Sequence, residues 1–153
     1  MGTYLMQVVL WILCFMEVAM CFGLLDVFFG IKKRLNKKRL IGVVACVGLV
    51  GALLAINRQI VFFSHNMWLL SMVVTSIFAV IIIRQHLLLL VESIVIWFSS
   101  VALLDFFFVY VIESLFGAVF WHRVYFETIS WWGMLILVIT RIIGLWLLLL
   151  AKK

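Results

Sequence analysis

Proline is absent from the 153 residues, and acidic residues number only six against twelve Lys and Arg. Many transporters break their spans at Pro or Gly to expose backbone, so the absence of proline favours continuous helices, with glycine left as the residue able to make a break. Cysteine is also scarce. Cys14, Cys21 and Cys46 lie in apolar runs and form no C-x-x-C pattern. They are expected to be reduced structural residues, not a disulfide framework. His65, His86 and His122 fall in three different connections without an i, i+4 pair, so no metal-ligand set is expected. No nucleophile motif, phosphate loop or paired-carboxylate constellation is present either. The chain therefore reads as non-catalytic, with no cofactor.

Apolar residues dominate what is there. At 69% hydrophobic and 12% charged residues, with a mean hydropathy of +1.36, the chain has more apolar surface than a soluble domain of this length could cover. An integral, multi-pass protein of the cell membrane, in contact with the lipid bilayer, is the expectation. Crossing a hydrocarbon core takes about 20 helical residues, and five stretches reach or approach that length: 4–30, 40–56, 67–83, 87–112 and 131–151. They predict one all-α domain spanning 1–153, a bundle of about five transmembrane helices. The first stretch lacks a basic leader and is too long for the apolar part of a signal peptide, so it reads as a retained span.

Charge orients the bundle. Lys32, Lys33, Arg34, Lys37, Lys38 and Arg39 crowd into one short connection, which the positive-inside rule and anionic lipid hold on the cytoplasmic side. The N-terminus is then outside and the C-terminus inside. Alternating the spans puts nine Lys and Arg inside and two, Arg58 and Arg123, outside, leaving Arg141 within a span. The +6 net charge thus serves topology and implies no nucleic-acid partner.

Ionisable groups inside spans each need an account, because they cost several kcal/mol unless paired or facing a cavity. Glu17 and Arg141 come to similar depths, so a salt bridge between the first and last spans is expected, either as a pin that fixes helix order or as a switch. An isolated pair also predicts that the charge exchange E17R/R141E restores expression lost in either single change. Asp26 and Glu92 lie near the inner ends of their spans and can snorkel to the interface. Asp105 is deeper. Glu92 and Ser99 share a helix face, whereas Glu92 and Asp105 point about 140° apart, so no continuous relay runs along that helix. Gly42, Gly48 and Gly51 in the second span suggest close helix packing.

The long outer connection from Glu113 to Ser130 mixes aromatic and charged residues. Trp121, Tyr125 and Phe126, with Trp131 and Trp132 beyond them, are candidate ligand-facing outer aromatics as well as candidates for the interfacial aromatic belt.

The order of features resembles the membrane input region of Agr-like, GHKL-type peptide-sensing histidine kinases. It rests on a first span with an acidic residue (MEVAM, Glu17), the basic loop IKKRLNKKRL, Asn57 after the second span (AINRQ) and the fifth-span sequence TRIIGLWLLLLAKK. The resemblance implies a polytopic receptor for an extracellular peptide. No phosphoacceptor helix or ATP-binding domain falls within these residues, so the chain alone is expected not to be a kinase. It would be a truncated or detached sensor module, a paralogue without its output, or a member of another class with the same charge layout. Three functions follow: a receptor-like sensory module for a hydrophobic or peptide ligand, with a separate kinase partner; a regulatory or immunity-type partner of another membrane complex; and an oligomeric small transporter or channel subunit drawing on Glu92, Ser99, Ser100 and Asp105.

Overall fold

The computed structural model describes residues 2–30, 36–60, 65–83, 87–117 and 131–152. They form five helices: α1 (Gly2–Phe29), α2 (Lys37–Ile60), α3 (His65–Ile83), α4 (Leu87–Phe116) and α5 (Trp131–Ala151). Helix is what a long apolar run must become in hydrocarbon, since only there does each segment satisfy its own backbone groups. None of the five is interrupted. Four of them, α1, α2, α4 and α5, are long and apolar enough to cross a membrane; α3 contributes the shorter apolar stretch Trp68–Ile83.

Local chemistry sets the ends. Gly30, at φ 61°, closes α1 by donating its N–H to Asp26 O at 2.8 Å. Gly117, at φ 86°, closes α4 in the same way on Glu113 O at 2.8 Å. Both are left-handed caps that glycine adopts without a Cβ penalty. Asn36 opens α2: its carbonyl accepts from Arg39 and Leu40 N–H, and its side-chain Oδ1 accepts from Lys37 N–H at 2.8 Å, the work of an N-cap.

Two expected spans lengthen by four residues or more. The fourth span continues through Glu113 to Phe116 before the Gly117 cap. The second gains Lys37–Arg39 at one end and Asn57–Ile60 at the other. Arg58 is therefore not in an outer connection as the charge count had it: it is helical and only 8% exposed.

α1 is the hub, packing against α2, α4 and α5, while α3 leans on α2 and α4. Gly23 of α1 lies against Leu148 of α5, and Met20 lies beside Gly144. Those pairs keep a nearly constant offset, so α1 and α5 run parallel and in register. Large apolar residues such as Ile12, Val44, Ile81, Leu103 and Trp146 are exposed around the outside. A bilayer covers such a surface; water would not. The protein is an all-α integral membrane bundle.

The second-span glycines divide. A Cβ at Gly51 would lie 3.1 Å from the Phe15 Cα, and one at Gly42 would meet Ile82 at 3.0 Å, whereas Gly48 faces open space. Gly51→Leu is expected to cost about 1–3 kcal/mol through overpacking, and Gly48→Ala to stay within about 0.5 kcal/mol. Thermal unfolding of the purified protein in detergent reads both.

Candidate functional site: a buried ionic cluster beneath an apolar groove

Four charges from four helices meet in the core: Glu17 of α1, Arg58 of α2, Asp105 of α4 and Arg141 of α5, all buried. Helix direction explains the convergence. Side chains tilt toward the N-terminus of their own helix, so Glu17 and Arg141, on the parallel pair, lean toward the Trp131 end of the bundle. Arg58 and Asp105, on helices running the other way, lean toward the Lys152 end. The two sets meet midway.

Arg141, 1% exposed, is the keystone. Its Nη2 donates to Glu17 Oε2 and its Nη1 to Asp105 Oδ1 at 2.6 Å. Thr140 Oγ1 accepts from Arg141 Nη1 at 2.7 Å and donates to Asp105 Oδ1 at 2.7 Å. Arg58 is held more loosely. Its Nη2 reaches Glu17 Oε2 at 3.3 Å and stands 3.8 Å from Asp105 Oδ2. Trp97 Nε1 donates to the Glu17 carbonyl oxygen at 3.3 Å, tying α4 to the same point of α1. Two cations balance two carboxylates, which is the condition under which buried charge is tolerated in hydrocarbon. Arg58 Nη1 and Arg141 Nε are buried without a hydrogen-bond partner.

The sequence-level expectation for Glu17 and Arg141 was an isolated pair; the geometry makes it half of a quartet. Asp105, expected as a separate polar residue of the fourth span, belongs to the same cluster. Arg58 is the functional residue that sequence reasoning missed. Two signals pointed to it. Cys46, Val50, Leu54 and Arg58 follow one another at four-residue spacing on the buried side of α2, and two deep carboxylates against Arg141 alone leave one negative charge unmatched.

The remaining residues go elsewhere. Glu92 is exposed, Ser99 half-buried and Ser100 exposed, all on α4, so they share no interior path with Asp105. Asp26 is half-buried near the Lys152 end of α1. Lys37 and Lys38 are exposed and Arg39 half-buried in the first turn of α2, while Lys32, Lys33 and Arg34 lie outside the described residues. So do Trp121, Tyr125 and Phe126. Cys14, Cys21 and Cys46 are buried in the core. Among the described residues no cluster of three or more His, Cys, Asp or Glu could hold a metal ion.

Trp131 and Trp132 do border a space. A groove of about 430 Å³ runs between the first turns of α1 and α5, walled by Leu5, Met6 and Val9 on one side and by Trp131, Trp132, Met134 and Val138 on the other. The Trp132 ring also packs against Phe116 at the end of α4, with centroids 5.8 Å apart. Met6 and Glu17, eleven residues apart, point within about 20° of each other, as do Met134 and Arg141, seven apart. The groove is thus the continuation, toward the Trp131 end, of the seam that the ionic cluster closes. What the cluster can do is hold helices in register, and what the groove can do is admit an apolar group. Comparison with protein-family models, with curated proteins and with solved structures finds no match.

Proposed function

We propose that the chain is a receptor-like sensory module that takes an apolar peptide from outside the cell into the α1–α5 groove. The observation that carries this reading is the alignment of groove and salt bridge on the same two helices. A ligand wedged between Leu5–Val9 and Trp131–Val138 separates the helices that Glu17 and Arg141 hold together. The parallel register of α1 and α5 then turns that separation into a displacement at their far ends, beside Lys37 and Lys152. The concentration of Lys and Arg at that far end supports its assignment to the cytoplasm, and the ordered likeness to peptide-sensing kinase input regions supports the ligand class.

The test is photocrosslinking. With p-benzoylphenylalanine in place of Leu135, on the groove wall, irradiation in native membranes is expected to yield an adduct of peptide mass. Adducts of phospholipid alone would overturn the reading.

A further inference from the structure

We infer that α1 and α5 form a lever pivoting on the Gly23–Leu148 contact: spreading the groove splits the ionic cluster into two neutral pairs and draws the Lys152 ends of both helices together. The receptor reading above supplies the trigger; the lever itself rests on packing and charge. Below the groove the seam closes in three steps of about one turn each. Glu17 pairs with Arg141, Met20 Cε lies 3.9 Å from where a Cβ on Gly144 would stand, and Leu148 Cδ2 lies 3.0 Å from the matching point on Gly23. The seam is open at the Trp131 end and tightest at Gly23.

Packing fixes the fulcrum. Between Leu5, Met6 and Val9 on one wall and Trp131 and Val138 on the other lies about 430 Å³ of space, so widening that end forfeits little dispersion. At Gly23 there is no room even for a methyl group, and a close-packed interior transmits strain instead of absorbing it. The helices therefore tilt about that contact.

Charge makes the split tolerable. Arg141 keeps Asp105 of α4 and its own neighbour Thr140, while Glu17 keeps Arg58 of α2. Each half carries one cation and one carboxylate, so opening the Glu17–Arg141 contact strands no charge, which is what makes breaking a buried pair so costly. Two further contacts cross the parting line, and both are long: Arg58 to Asp105 at 3.8 Å and Trp97 Nε1 to the Glu17 carbonyl at 3.3 Å.

Helical rise sets the gearing. Tyr4 stands nineteen residues from Gly23 and Glu17 six, with Phe28 five residues away on the far side, which is about 28, 9 and 7.5 Å. A mouth widened by about 4 Å then lengthens the Glu17–Arg141 contact by about 1.3 Å, past hydrogen-bond range, and shortens the Phe28–Ala151 separation by about 1 Å.

The mouth can be set without any ligand. Bis-methanethiosulfonate linkers of graded length, joining Tyr4→Cys to Trp131→Cys in the full chain in nanodiscs, fix its width; Cys14, Cys21 and Cys46 are buried. Nitroxides on p-acetylphenylalanine in place of Phe28 and Ala151, both exposed, read the far ends by double electron–electron resonance. Each added ~4 Å of mouth is expected to shorten that distance by about 1 Å. In solid-state NMR of the same samples, the carboxyl-to-guanidinium contact of Glu17 with Arg141 should disappear at the widest mouth, while those of Glu17 with Arg58 and of Asp105 with Arg141 persist. A far-end distance that stays constant or grows would overturn the lever. Loss of the Asp105–Arg141 contact, or retention of Glu17–Arg141 at every width, would overturn the split. Neither result touches the receptor reading, which stands or falls with the adducts at position 135.

Discussion

Replacing Arg141 by methionine is expected to cost about 3–5 kcal/mol, the usual penalty for removing one partner of a buried ion pair. Methionine fills much of the same volume, so the loss is electrostatic more than steric. Glu17 and Asp105 would then share only Arg58, which reaches Glu17 Oε2 at 3.3 Å and stands 3.8 Å from Asp105 Oδ2. Thr140 would also lose the Nη1 donor that fixes its hydroxyl toward Asp105. A penalty of that size is a large fraction of the stability of an ordinary domain, so the variant should show a collapsed monodisperse peak and an earlier melt in fluorescence-detected size exclusion. A melt within a degree or two of wild type would mean that the cluster is not formed in the membrane.

The second large effect concerns the arithmetic of the cluster. Glu17→Gln alone leaves an excess buried positive charge, and Arg58→Gln alone an excess negative one. Combined, they leave Arg141, Asp105 and Thr140 with their tight hydrogen bonds and no net charge. The double variant should therefore be more stable than Glu17→Gln, with a coupling of about 0.5–3 kcal/mol in a double-mutant cycle. Pairing Glu17→Gln with Arg141→Gln should recover less, because it keeps the looser Arg58–Asp105 approach of 3.8 Å. Thermal melts of the three singles and two doubles measure the whole cycle. If both doubles fall at the sum of their singles, the four residues do not act as one unit. The same geometry reverses the expectation for E17R/R141E. The exchange would set an arginine at 17 against Arg58 and a glutamate at 141 against Asp105, so its failure to restore expression would support the quartet.

The helices were legible from composition because hydrocarbon leaves an apolar run almost no alternative, and the absence of proline left them unbroken. The Glu17–Arg141 approach was legible too, since both residues lie at similar depth in parallel spans. Arg58 was not. Only a few residues past the apolar stretch, an arginine reads as solvated, and its four-residue spacing from Cys46, Val50 and Leu54 and the unmatched carboxylate become decisive only once the helix is seen to run on to Ile60 and to face α1 and α4. Asp105 was visible as a deep charge, but its direction depends on how α4 is rotated against α1 and α5, which side-chain packing around Trp97 and Gly144 sets.

The sequence by itself determined the membrane class, the helical content and the charge asymmetry between the two ends, because each follows from the solvation of residue types. Tertiary structure alone decided that Glu17, Arg58, Asp105 and Arg141 form one neutral cluster and that an apolar groove continues its seam. Both depend on the relative rotation of four helices, which short-range periodicity does not encode and which packing and charge balance fix together.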